Sequence, residues 1–128
     1  LPRSFHWAPI TAQRFVDLHA KGGRDDYCSS DYTDVELGAR LGQITNQPQH
    51  PDLKVLVAFS GSDQYVPAHV DKLKLTERMV DAMNGKFGTG NVDDKNVAEA
   101  LYIENGDHNL SNSDDAKIFV DKFSDLLK

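Results

Sequence analysis

The stretch Leu53–Ser60, LKVLVAFS, says most about the fold of this 128-residue chain. Its apolar residues follow one another without strict alternation, which indicates a strand that is covered on both faces. Such strands are typical of the centre of a parallel sheet with helices packed on it. A second strand, Ala100–Glu104 (ALYIE), is predicted after an intervening helix, and another helix follows it. The order strand, helix, strand, helix predicts an α/β fold.

The predicted helices rest on apolar spacing and on residues that start or stop helices. Apolar stripes predict a helix over 69–83 and a final helix that begins within 111–114. The stripes consist of Val70, Leu73, Val80 and Met83 in the first helix, and of Ile118, Phe119, Phe123, Leu126 and Leu127 in the second. Upstream, the spacing predicts a helix over 10–19. Thr33 and Glu36 have the spacing of a capping box, which predicts a short helix over about 34–41. The polar residues 21–32 between these two helices predict a loop.

Two strands are too few for a sheet of this type, which usually has about 4–6. Two strands also cannot cover both faces of LKVLVAF or the stripes of both long helices. We therefore predict the C-terminal half of a doubly wound, mostly parallel sheet, incomplete without an N-terminal half.

Composition and charge make several classes of protein improbable. The net charge of −6 disfavours nucleic-acid binding, because an acidic surface repels phosphate backbones. No apolar run approaches the roughly 20 residues of a membrane-spanning helix. Cys28 is the sole cysteine, so an internal disulfide is impossible and a reducing, cytoplasmic setting is favoured. No histidine pairs with other ligand types at metal-binding spacing, and we predict neither a metal nor an organic cofactor.

Each predicted strand is followed by a turn with a titratable side chain, Asp63 after the first and His108 after the second. Ligand sites of parallel sheets lie beyond the carboxyl ends of the strands. An aspartate placed there can accept the Nδ1 proton of a histidine, which leaves Nε2 free to take a proton from a serine. Two other interpretations remain open. Asp63 could cap the next helix or stabilise the turn at Gly61, and His108 could be an ordinary loop histidine.

The residues around both positions resemble a known superfamily. Ser60–Pro67, SGSDQYVP, resembles the acid loop of α/β-hydrolases, and Gly106-Asp107-His108 resembles their Gly-x-His turn. The resemblance implies that Asp63 is the acid and His108 the histidine of a catalytic triad, in the chain order nucleophile, acid, histidine. No Gly-x-Ser-x-Gly nucleophile elbow occurs in this chain. The nucleophile would therefore come from the N-terminal half of the same hydrolase, as a separate chain or a further segment.

A closer resemblance involves a fungal branch of these hydrolases. It rests on Leu1–Phe5, Ile10–Ala12, the run Asp25–Asp31 and Gly106–Ser111, which are similar to esterases of fusarinine-type siderophores such as triacetylfusarinine C. The resemblance implies a serine-type hydrolase that opens carboxylic esters of a hydroxamate siderophore through an acyl-enzyme. It also implies that residues 1–50 form a cap-like helical segment and linker, and that residues 51–128 form the last strands and helices of the core.

Two alternatives to siderophore ester hydrolysis stay open. One is an α/β-hydrolase-like domain that no longer catalyses and serves binding or assembly. The other keeps the fold and the triad but acts on other esters, thioesters or peptides. The pockets that would distinguish these substrates are expected to be formed mostly by the N-terminal half.

Overall fold

The computed structural model describes residues 11–88 and 96–128, which form four helices and two strands. In chain order these are α1 (Ala12–His19), α2 (Asp34–Thr45), β1 (Val55–Ser60), α3 (Lys72–Met83), β2 (Ala98–Ile103) and α4 (Ser113–Leu126). The described residues up to Asp31 belong to one compact unit, and Tyr32–Lys128 form the other. The division at residues 50 and 51 into cap and core stays a prediction.

The two strands pair in parallel, as the sequence predicts. Val55 of β1 lies opposite Ala98 of β2, and Ser60 lies opposite Ile103. Helix α3 connects the strands, and both α3 and α4 contact both strands. β2 begins two residues before its predicted start because the Asn84 side chain bonds both backbone groups of Ala98. Asn84 Nδ2 donates to the Ala98 oxygen at 2.9 Å, and its Oδ1 accepts from the Ala98 amide at 2.8 Å.

The core lies where α3 packs against α2 on one side and against the two strands on another. Its buried apolar side chains are Tyr32, Leu37, Leu41, Leu75, Met79, Ala82, Met83 and Ala98. The predicted capping box is present, because Thr33 Oγ1 accepts from the Glu36 amide at 3.2 Å while Glu36 Oε2 accepts from the Thr33 amide at 2.7 Å. α2 continues past the predicted end near residue 41 to Thr45. There the Thr45 hydroxyl donates to the backbone oxygen of Met83 and ties the helix to the end of α3.

Helix α3 differs from its prediction in the residue at which it begins and in the side chains that it buries. It begins at Lys72 rather than at His69, because Asp71 is the N-cap and accepts from the Lys74 amide at 3.0 Å. The predicted stripe is partly wrong, since Leu73 is 46% exposed while Leu75 and Met79 are buried. The buried side of α3 is the one that meets α2 and the strands.

Helix α4 begins after Asn112, inside the predicted window, and Asn112 Oδ1 accepts from the Asp114 amide at 2.8 Å. None of its residues is buried, and Ile118 and Phe123 are 46% and 45% exposed. The predicted apolar face exists but is only half covered, because the sheet has two strands within the described residues. For the same reason, no residue of β1 is fully buried.

The first helix is α1, which starts at Ala12 with Thr11 as its N-cap. The prediction placed its start at Ile10, which lies outside the described residues, as do the quoted segment Leu1–Phe5 and residues 89–95 of the polar loop. Residues 21–32 form turns and loop, as predicted.

Candidate functional site

Asp63 and His108 meet at the carboxyl edge of the sheet. His108 Nδ1 lies 2.9 Å from Asp63 Oδ2, although the two residues are 45 positions apart in the chain. The parallel register explains this contact, because Ser60 and Ile103 end the strands opposite each other. Both following turns therefore leave the sheet at the same edge. The structure thus brings together both residues that the sequence singled out.

Backbone contacts hold the two turns against each other. The Gly61 amide donates to the Ile103 oxygen at 2.8 Å, and the Ser62 amide donates to the Gly106 oxygen at 2.9 Å. Gly61 is required by this close approach, because a Cβ there would lie 2.4 Å from the backbone oxygen of Glu104. The Ser62 hydroxyl donates to the same Glu104 oxygen at 3.1 Å. The geometry of the Asp63–His108 pair is thus supported by the backbone on both sides.

The Asp63 carboxylate is held mainly by two donors. Its side chain is 13% exposed, Oδ2 faces His108, and Oδ1 accepts from the Tyr65 amide at 2.9 Å. Partial burial alone would raise the pKa of Asp63. The hydrogen bonds from His108 and the Tyr65 amide, with the charges of His108 and Lys72, outweigh burial and hold the pKa of Asp63 below its ordinary value. The carboxylate also closes the turn after β1, whereas the α3 cap is Asp71.

His108 is half exposed and is contacted from the opposite loop at three points. Besides Asp63, Gln64 Oε1 accepts from the His108 amide at 3.2 Å. The ring of Tyr65 meets the imidazole at 75°, with ring centroids 4.7 Å apart. Nε2 makes no hydrogen bond to any residue that the structure describes. The imidazole is therefore anchored through Nδ1, while Nε2 is available to another group.

The turn that carries His108 has its own fixed shape. Asp107 Oδ1 accepts from the Ser111 amide at 2.8 Å, and Leu110 adopts a left-handed backbone with φ of 49°. Hydrogen bonds from the Ser111 side chain and amide hold the pKa of Asp107 below its ordinary value. A non-glycine residue in this conformation is uncommon and persists where the surroundings impose it.

Gln64 and Tyr65 were not singled out from the sequence. Both stand beside Asp63 in the quoted loop, and that position was the only available signal. Their contacts with His108 depend on how two loops meet in space, which residue spacing does not encode.

Two acidic residues of the loop over 21–32 form ion pairs with basic side chains. Asp25 pairs with Arg14 at 2.7 Å, and Asp31 pairs with Lys21 at 2.8 Å. Partial desolvation and the nearby Asp26 carboxylate raise the pKa of the Cys28 thiol, so it is not activated as a thiolate. Within residues 11–88 and 96–128, no three His, Cys, Asp or Glu side chains are grouped so that they could hold a metal ion. In the same ranges no helix has the length and apolar character needed to cross a bilayer.

Comparison with known proteins places the chain in a family. Residues 2–128 match the family described as "Protein of unknown function (DUF1749)". The chain belongs to this family.

Two fungal relatives are similar to it in sequence. Fusarinine C esterase sidJ of Aspergillus fumigatus is 38% identical over 114 residues, covering 85% of this chain and 31% of the relative. Esterase AN6793 of Emericella nidulans is 37% identical over 75 residues, covering 54% of this chain and 20% of the relative.

A solved structure agrees with this assignment. Siderophore hydrolase EstB from Aspergillus fumigatus matches with a TM-score of 0.69 and 34% identity, covering 93% of this chain and 36% of that structure. The chain therefore spans about a third of the length of sidJ and EstB. The prediction of a partial α/β-hydrolase that resembles siderophore esterases is confirmed.

Proposed function

We propose that this chain supplies the acid and the histidine of a serine-type carboxylic ester hydrolase. The observation that carries the proposal is the 2.9 Å contact between His108 Nδ1 and Asp63 Oδ2 at the carboxyl edge of the sheet. Relatives whose names are esterase and siderophore hydrolase support the reaction class. His108 would be the general base and then the general acid, and Asp63 its orienting carboxylate.

The proposed reaction balances through one shuttled proton. Nε2 takes the proton of a serine hydroxyl as the serine oxygen attacks the ester carbonyl, and it gives that proton to the leaving alkoxide. The products of this first stage of the reaction are an alcohol and an acyl-enzyme. Nε2 then takes a proton from water, whose oxygen attacks the acyl carbon, and returns the proton to the serine oxygen as the acid leaves. Asp63 stays ionised and stabilises the imidazolium in both stages of the reaction. No metal or organic cofactor takes part.

The nucleophilic serine belongs, in this proposal, to the N-terminal half of the same hydrolase. Ser62 is a poor candidate because its hydroxyl already donates to the Glu104 backbone oxygen, and the sequence contains no Gly-x-Ser-x-Gly motif. The half-exposed apolar face of α4 supports a further covering segment, since a helix of an α/β fold ordinarily buries such a face. This chain together with that segment is called the whole hydrolase below.

The substrate that we propose is a fungal hydroxamate siderophore ester of the fusarinine type, such as triacetylfusarinine C. Support comes from the names of two relatives, fusarinine C esterase and siderophore hydrolase, at 38% and 34% identity. Hydrolysis of its ester bonds would separate the hydroxamate groups that bind iron together and so weaken iron binding. We place the reaction in the cytoplasm on the basis of the single cysteine.

The test is to incubate the whole hydrolase with fusarinine C and with triacetylfusarinine C, each with and without iron, and to follow the products by mass spectrometry. We expect products that gain one water for each ester opened, formed at least about 10³-fold more slowly by a His108→Ala variant. If the enzyme hydrolyses p-nitrophenyl butyrate but leaves both siderophores intact, the proposed esterase activity stands and the proposed substrate is wrong. Failure to hydrolyse any of these esters would favour the non-catalytic domain.

A further inference from the structure

Three consecutive residues of the loop after β1 contact three different parts of His108. Asp63 bonds the imidazole Nδ1, Gln64 bonds the backbone amide, and the Tyr65 ring lies against the imidazole ring. The first of these contacts belongs to the function proposed above. The contact of Tyr65 does not, and it calls for a separate explanation.

Tyr65 adds little to the core that this chain forms, because its side chain is 73% exposed within the chain. Its ring nevertheless lies 4.7 Å from the imidazole centroid at 75°, which is within the favourable range for an edge-to-face pair. Its own amide also donates to Asp63 Oδ1, so backbone and ring of one residue contact both members of the pair. Tyr65 lies outside the core of this chain but contacts both His108 and Asp63, so a role at the site explains its position better than a role in packing that core.

The imidazole needs a second constraint. Its side chain is 50% exposed, and a single hydrogen bond through Nδ1 fixes one atom but leaves the ring free to rock about that bond. Proton transfer at Nε2 requires that atom within about 3 Å of the serine oxygen, so rocking lowers the fraction of productive orientations. A ring packed at a steep angle to the imidazole restricts this motion.

We propose that Tyr65 is a positioning residue that holds the His108 ring in the orientation where Nδ1 faces Asp63 and Nε2 faces the nucleophile. The inference deepens the proposed function and rests on it. The aromatic ring carries the effect, and the phenol hydroxyl is not required. Tyr65 therefore acts on the rate of proton transfer rather than on the binding of substrate.

The test compares Tyr65→Leu, Tyr65→Ala and Tyr65→Phe in the whole hydrolase with p-nitrophenyl butyrate as the ester. We expect Tyr65→Leu and Tyr65→Ala to lower kcat about 3- to 10-fold, the factor typical of one aromatic pair, with KM changed less than twofold. Tyr65→Phe should recover most of the lost rate. Thermal unfolding reports whether each variant of the whole hydrolase is folded.

An NMR measurement of the His108 imidazole keeps this test independent of the reaction itself. We expect Tyr65→Leu to shift and broaden the imidazole resonances, because the neighbouring ring current and the packing contact are both removed, while Tyr65→Phe keeps them near the wild-type positions. An unchanged kcat in Tyr65→Leu, a rise in KM alone, or an equal loss in Tyr65→Phe would overturn the positioning role. If His108→Ala keeps its turnover, the proposed function fails instead, whatever the Tyr65 variants do.

Discussion

The core between α2 and α3 and the site at the strand ends are built in opposite ways. In the core, Leu37 is fully buried and Leu41 is 1% exposed. At the site, the side chain of His108 is 50% exposed, and its partners in the facing turn are two polar side chains and one aromatic ring. The first region stabilises the fold through apolar burial, whereas the second holds a reactive group through directed hydrogen bonds. The two regions should therefore respond to mutation in different measurements.

The largest expected effect falls on activity at the site. In the whole hydrolase we expect His108→Ala to lower kcat by about 10³- to 10⁴-fold or more, and Asp63→Asn by about 10²- to 10⁴-fold, because each removes the oriented base. Steady-state kinetics with p-nitrophenyl butyrate measure both. His50→Ala and Asp71→Asn are the matched controls, since His50 is an exposed loop histidine and Asn also caps helices well. A His108→Ala variant with near wild-type turnover would contradict the proposed role.

The next largest effect falls on stability in the core. Leu37→Ala removes a fully buried side chain and should lower the free energy of unfolding by about 2–5 kcal/mol. Because Leu37 belongs to the buried core cluster and not to the residues that hold Asp63 and His108, kcat per folded molecule should not change. Denaturant unfolding and active-site titration together measure the two quantities. Val35→Ala, at a position 70% exposed on the same helix, should stay within about 0.5 kcal/mol of wild type. Equal losses in the two variants would show that the burial at Leu37 is misassigned.

The smallest expected effect is a pH-dependent contribution of Asp63 to the stability of the fold. The pKa of Asp63 is below its ordinary value, so the folded state favours its ionised form. That contribution is fully present above the pKa of an unfolded aspartate, about 3.9, and is lost as the pH falls through the lower folded value. Urea midpoints of wild type and Asp63→Asn should therefore differ at neutral pH and converge on acidification below about pH 4. A difference that widens at low pH would mean that Asp63 is not stabilised as a carboxylate.

The sequence predicted the parallel strands, the Thr33 capping box and the pair Asp63–His108, because each leaves a local pattern. The sequence did not predict features that depend on which other parts of the chain pack against a helix or a loop. Leu73 belongs to an apolar stripe by spacing, yet the buried side of α3 is set by its contact with α2 and the strands. The contacts of Gln64 and Tyr65 with His108 were not predictable either, since they join loops more than 40 residues apart.

Labelling of the nucleophile itself tests most directly whether Asp63 and His108 activate a serine outside this chain. The whole hydrolase, wild type and His108→Ala, is treated with a fluorophosphonate probe, and the modified peptide is identified by mass spectrometry. We expect one labelled serine outside these 128 residues, with labelling strongly slowed in His108→Ala. Labelling of Ser60 or Ser62, labelling that does not depend on His108, or no labelling at all would contradict it.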